Sequence, residues 1–252
     1  SVTTDLSEQA LLLERAGRSA SLAADHDAAE RYLVRATEIQ RGLGDRPAAA
    51  RTIAELGRAL IDGQRHGRAL TLLEPAAGEF VDLAGDPGAV ALDSELARAL
   101  MVGEQHQRGV ELADRALAAA ERGDLVALVA DTLVTRGSAL CNLGRSYEGV
   151  GAIRTGIDLA QAHGHTEITQ RGLHNLSFFL MDSDVRGVFD AGRTALALAA
   201  RLGDRAGYAF TLFNATQAAV DTGDWDWALG ECTAAMETAP GDVERAPLTD
   251  SR

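Results

Sequence analysis

Apolar residues recur along this chain with the period of a helix. Ile53, Leu56, Leu60 and Ile61 follow a 3.6-residue repeat, and so do Leu112, Ala113, Ala116 and Leu117. No block alternates apolar and polar residues as a half-buried strand does. Each apolar block is long enough for one helix and ends where a glycine meets a small polar residue. Gly44-Asp45, Gly85-Asp86, Gly123-Asp124, Gly164-His165 and Gly203-Asp204 form one such series, with steps of 41, 38, 41 and 39. Gly63, Gly103, Gly144, Ser183 and Gly223 form a second series between them, with steps of 40, 41, 39 and 40. Two interleaved series with a common period of about 40 residues predict a repeat array of helix pairs.

The punctuation has physical roles. A glycine just past a helix end takes the left-handed conformation without a β-carbon penalty. The Asp after it can accept from the first free amides of the next helix. Pro47 and Pro87 stand at helix starts, where a missing amide is harmless, and Asp5 with Glu8 can cap the first helix. The pairs are expected near 5–44, 46–85, 87–123, 124–164, 165–203 and 204–240, as one array over 5–240. Residues 241–252 carry little apolar surface and are expected to form a loose tail.

Charge and composition narrow the function classes. The formal net charge is −13 and there is no lysine. An acidic chain repels phosphate backbones, so nucleic-acid binding is not expected. The absence of lysine, whose codons are AT-rich, suggests a GC-rich bacterial genome. Cys141 and Cys232 lack CxxC partners, as in cytosolic proteins rather than disulfide scaffolds. No apolar run approaches the roughly 20 residues of a membrane span, and no secretory signal is expected. A cytoplasmic location is expected. The missing initiator Met suggests a piece of a longer protein.

Gly223-Asp224-Trp225-Asp226-Trp227-Ala228-Leu229 resembles the turn and second-helix start of a tetratricopeptide repeat, Gly-Asp-Tyr-x-x-Ala-Ile/Leu. Leu56-Gly57-Arg58-Ala59-Leu60 resembles the Leu-Gly-x-Ala-Tyr stretch of its first helix, and Leu143 to Val150 is a looser match. The period is longer than the family's usual 34, and the Pro that closes a repeat occurs only at Pro240. Repeats of this long kind are similar to those of LuxR-type, maltose-activator-like regulators and of bacterial cyclase–ATPase fusions. The resemblance implies an all-α, right-handed α-solenoid (superhelix) of about six helix pairs. It also implies a protein-interaction module of a multidomain bacterial signalling or transcription-regulatory protein. Any ATPase or cyclase would lie outside this segment. The segment itself is expected to be no enzyme and to carry no cofactor.

The family lines its concave groove with the first helix of each pair. Mapped here, that column gives Arg51 and Arg58, then Ser94, Arg98 and Met101, then Asp131, Ser138, Cys141 and Asn142, and last Arg171, His174, Phe178, Met181, Phe213 and Gln217. The first half is Arg-rich and the second apolar and aromatic, which suits an acidic, partly apolar peptide or partner domain. A small-molecule effector pocket around His174, Phe178 and Phe213 is one alternative, and a homodimerisation scaffold is another. The last helix, with Trp225, Trp227, Leu229, Cys232 and Met236, lacks a polar cap, which points to more repeats or to a homodimer through the C-terminal end.

Other chemistry is weaker. His26, His66 and His106 recur every 40 residues, and the column continues as Ser146, Asp184 and Trp225. Equivalent positions of adjacent pairs stand about 10 Å apart. No ion with bonds of about 2 Å spans that distance, so no metal site is expected. A phosphate loop, a nucleophile elbow and an HExxH motif are all missing from the sequence.

Overall fold

The computed structural model describes residues 5–203 and 205–238. They form twelve α-helices and, among the described residues, no strand. The helices are α1 (Leu6–Leu22), α2 (His26–Leu43), α3 (Arg46–Asp62), α4 (His66–Glu79), α5 (Pro87–Val102), α6 (His106–Arg122), α7 (Val126–Asn142), α8 (Ser146–Ala162), α9 (Thr166–Leu180), α10 (Val185–Leu202), α11 (Arg205–Thr222) and α12 (Trp225–Thr238). A 3-10 turn at Val81–Leu83 follows α4, which carries Pro75. The odd-numbered helices begin at residues 6, 46, 87, 126, 166 and 205, so the pairs keep a spacing near 40. The expected tail at 241–252, Pro240 and Asp204 lie outside the described residues.

The helices gather into two compact units, one ending at Leu159 and one starting at Ala160. In the first, Leu33, Ile53, Leu73 and Leu92 belong to one buried core. In the second, Leu196, Leu212, Ala215 and Ala235 pack together under Tyr208, Trp227 and Met236. No described helix is long and apolar enough to cross a membrane.

Several helix starts match their local chemistry. The Asp5 carboxylate accepts from the Ser7 amide at 2.8 Å, Asp45 from Ala48 at 3.1 Å and Asp86 from Gly88 at 2.8 Å. The helix ends correct the glycine reading. In the first unit the left-handed residues are Ala24, Gly44, Gln64, Glu104, Asp124 and Gly144, in register every twenty residues except at the 3-10 turn; in the second they are Gly164, Gly203 and Gly223. At α3, the Arg65 amide reaches the Leu60 carbonyl (2.7 Å) and the Gln64 amide the Ile61 carbonyl (2.9 Å). This is the paired bonding of a Schellman motif, and it needs a left-handed residue at Gln64. Gly63 and Gly103 instead have φ near −80°. A β-carbon on Gly63 would stand 3.1 Å from His26 Cβ, and one on Gly103 would stand 3.0 Å from Leu70 Cδ1. These two glycines therefore serve close approach between pairs. Asp124, being left-handed, cannot cap α7, and Leu125 holds the N-cap position without a side-chain bond.

Packing within a pair repeats too. A β-carbon on Gly17 would meet Leu33 at 2.6 Å, one on Gly57 would meet Leu73 at 2.6 Å, and one on Gly137 would meet Ile153 at 2.7 Å. A missing side chain on the odd helix lets a large one on the even helix lie across it. His26, His66 and His106 are the first residues of α2, α4 and α6. The tenth helix departs from that column: its first residue is Val185, and Asp184 is the N-cap, accepting from the Gly187 amide at 2.9 Å.

Candidate functional site

In the first unit, the odd helices carry charged side chains that bond to the next odd helix. Glu14 of α1 is buried, yet it accepts from Arg51 of α3 through Nε (3.0 Å) and Nη2 (3.1 Å). Thr52 Oγ1 and Gln40 Nε2 add bonds at 3.2 and 3.3 Å. Arg58 Nε donates to Glu95 Oε1 of α5 at 2.7 Å, and its Nη2 reaches Asp131 Oδ2 of α7 at 3.0 Å. Arg98 donates to Asp62 at 2.6 Å and stands 3.6 Å from Glu95 Oε2. Glu95 and Asp131 are both buried.

Protonation follows this pairing. The field of Glu95 leads in raising the Arg58 guanidinium well above its ordinary value, against burial and with help from Asp131. Burial pushes the Glu14 carboxyl up, but the hydrogen bond and charge of Arg51, with Thr52 and Arg18, outweigh it and hold it below 4.5. Ionised Glu14 therefore stabilises the fold above the ordinary carboxyl range, and that stability is lost as pH falls through the lower folded-state value. The Glu14→Gln variant is expected to be less stable at neutral pH and to lose less stability on acidification below 4.5. Urea unfolding followed by circular dichroism over that range checks it; parallel pH profiles of variant and parent would refute the assignment. Burial alone pushes the Cys141 thiol up to about 11, so it stays protonated, packed where a β-carbon on Gly149 would have to go.

The expected Arg-rich stretch of the groove is internally paired. Arg51, Arg58 and Arg98 are each already held by carboxylates of this chain. Ser94 and Ser138 are buried as well: Ser94 bonds Thr132 at 2.7 Å, and Ser138 donates to the Val134 carbonyl at 2.8 Å. Asn142, the last residue of α7, is exposed. Reading the sequence for single residues misses Glu14 and Glu95, and finds Asp131 only as a groove residue. A usable signal existed, because Glu14–Arg51, Arg18–Glu55 and Arg58–Glu95 are all opposite charges 37 residues apart.

In the second unit, His174 Nδ1 of α9 lies 2.8 Å from Thr211 Oγ1 of α11, which ties the two odd helices together. Around this tie, Phe178 and Met181 from α9 and its end, and Phe213 from α11, are exposed. Gln217 is exposed one turn beyond Phe213, and Arg171 is half-buried. Phe178 meets the ring of its neighbour Phe179 edge-on at 5.1 Å, with Phe178 the more exposed of the two. No group of three or more His, Cys, Asp or Glu able to hold a metal ion occurs among the described residues.

Stacked antiparallel pairs, small-for-large crossings and contacts between successive odd helices define an array of TPR-like helix pairs. Solved structures of that class share the fold. A Rap protein complexed with Competence and Sporulation Factor superposes with a TM-score of 0.67 at 12% identity, over 97% of this chain and 77% of that one. BtubC from P. vanneervenii gives 0.59 at 18% identity over 95% of both chains. A kinesin light chain-like protein of Podosopora anserina, with nearly identical TPR-like repeats, gives 0.53 at 18% identity over 79% of this chain and 97% of that one. No family model and no curated protein matches the sequence.

Proposed function

We propose that this chain is a non-enzymatic protein-interaction module that binds a partner segment along the odd helices. Phe178, Met181 and Phe213 act as its apolar anchors, and His174 and Gln217 as polar ones. The observation that carries this reading is the exposure of two phenylalanines on neighbouring helices, 48% for Phe178 and 39% for Phe213. Aromatic side chains that give up burial in a chain this rich in buried Ala and Leu mark a contact surface. The fold neighbour solved with Competence and Sporulation Factor lends support, because that array too holds a bound factor. The paired arginines of the first unit direct the proposal towards an apolar segment rather than an acidic one.

The alternative of an enclosed effector pocket is disfavoured by the same exposure, since such pockets bury most of their ligand and their lining. The setting that fits is a cytoplasmic, multidomain bacterial regulator, in which binding shifts the packing of helix pairs and biases an attached domain.

Panning a random dodecapeptide display library on the folded chain tests the proposal. Enriched peptides are expected to carry apolar anchors. Phe178→Ala and Phe213→Ala should each weaken them at least tenfold, about 1.4 kcal/mol, with the circular dichroism melt unchanged. Failure to enrich any peptide, or peptides indifferent to both substitutions, would refute the binding face.

A further inference from the structure

Inside the first unit, the first turns of α2 and α4 each close against the following pair. His26 of α2 packs where a β-carbon on Gly63 would go, and Leu70 of α4 packs at Gly103 in the same way. Both glycines end the odd helix of the following pair. Counting from the residue before each even helix, the Leu70 position is Glu30 in α2, Val110 in α6, Val150 in α8 and Phe189 in α10; Val110 and Phe189 are 5% and 1% exposed, and Glu30, Leu70 and Val150 are half-buried. It recurs once more in α12 as Leu229, which is 64% exposed, and the His26 position recurs there as Trp225, 63% exposed. Trp225 donates its indole N–H to the Val220 carbonyl of α11 at 2.8 Å, and the rest of its ring and the Leu229 side chain are left exposed on the outgoing half of the pair-to-pair contact.

The first pair shows the complementary half. Thr52 of α3 bonds back to Glu14 of α1, and Thr132 of α7 bonds back to Ser94 of α5. Their column faces the preceding odd helix, and Thr52, Leu92 and Thr132 in it are 0–1% exposed. The corresponding residue of α1 is Leu12, which is 50% exposed. At the end of α1, in the place of Gly63 and Gly103, stands the small residue Ala23.

We propose that these two ends bind each other between copies of this chain: the α12 end of one copy, through Trp225 and Leu229, receives α1 of a second copy through Leu12. The contact continues an interface the chain already makes between its own pairs. Leu229 would take the role of Leu70, and Ala23 that of Gly103. Because the two surfaces differ, the association is head-to-tail and open-ended, not a closed two-fold dimer of like ends. Copies carrying a net charge of −13 repel each other, so added salt should strengthen an apolar contact of this kind. The proposal is independent of the partner face on α9 and α11.

Sedimentation velocity on the full chain over a thousandfold concentration range tests it. The mean mass is expected to rise with concentration and more steeply at high salt. Leu12→Glu and Leu229→Glu, both at exposed sites, should each stay monomeric when alone. An equimolar mixture of the two should form a one-to-one dimer, since it restores one intact Leu229 end and one intact Leu12 end. Circular dichroism confirms that each variant is folded. A chain monomeric at every concentration overturns the proposal. So does a Leu12→Glu variant that associates like the parent, which would make the contact one between like α12 ends. A monomer whose tryptophan emission shifts on removal of residues 239–252 would make that segment the occupant, and overturns it too.

Discussion

Replacing Arg58 with methionine is expected to lower the unfolding free energy by about 3–5 kcal/mol, the usual loss when one partner of a buried ion pair is removed. The loss comes from what remains behind. Glu95 and Asp131 are buried, and without Arg58 both carboxylates lose a guanidinium partner in a region of low polarity, leaving Glu95 with Arg98 at the longer distance of 3.6 Å. Arg58 bonds to both acids and joins α3, α5 and α7 through one guanidinium. Losing it therefore unties three pairs at once. A triple variant with Arg58→Met, Glu95→Leu and Asp131→Val should recover most of the loss, because well-packed apolar side chains commonly match a buried pair in stability. Equilibrium urea unfolding of the parent, the single and the triple variant reads this directly. A single variant that loses less than about 1 kcal/mol, the size of an exposed pair, would show that the bridge is a surface one.

Gly137→Val is expected to cost about 3 kcal/mol or more, at or beyond the upper end of ordinary overpacking. A β-carbon there would stand 2.6 Å from the Gly149 carbonyl oxygen and 2.9 Å from the Ile153 amide nitrogen, both backbone atoms of α8. Gly149 has the mirror-image constraint, with the Gly137 carbonyl at 2.6 Å. The α7–α8 crossing thus rests on backbone against backbone, and neither side has a flexible chain end to move. Gly151, only two residues along α8, has nothing within 4 Å of its would-be β-carbon. Gly151→Ala should therefore stabilise by about 0.5–1 kcal/mol through helix propensity alone. Thermal melts of the two variants should move in opposite directions, and a Gly137→Val melt within a degree of the parent would refute the backbone contact.

Part of the fold was readable because it is local. Caps, Schellman turns and a 3.6-residue apolar period act over four to six residues, so Asp45, Asp86, Pro47 and Pro87 mark helix starts that the structure also has. Glycine misled by one position at Gly63, Gly103 and Gly123. There the left-handed residue is the next one, and sequence cannot separate a glycine kept for conformation from one kept for contact. Phe178 was readable as one of an adjacent pair that cannot share a helix face. Which of the pair turns outward depended on packing.

By itself the sequence determined that this protein is made of paired helices on a beat near 40 residues, because helix starts and stops are written in neighbouring residues. Only the tertiary structure decided what the arginines do. Arg51 and Arg58 reach acids 37 residues away on the next odd helix. Nothing local distinguishes a guanidinium closed in such a pair from one offered to a ligand. The same holds for Leu12 and Leu229, which look like core residues of their columns and are exposed because no described helix packs on them.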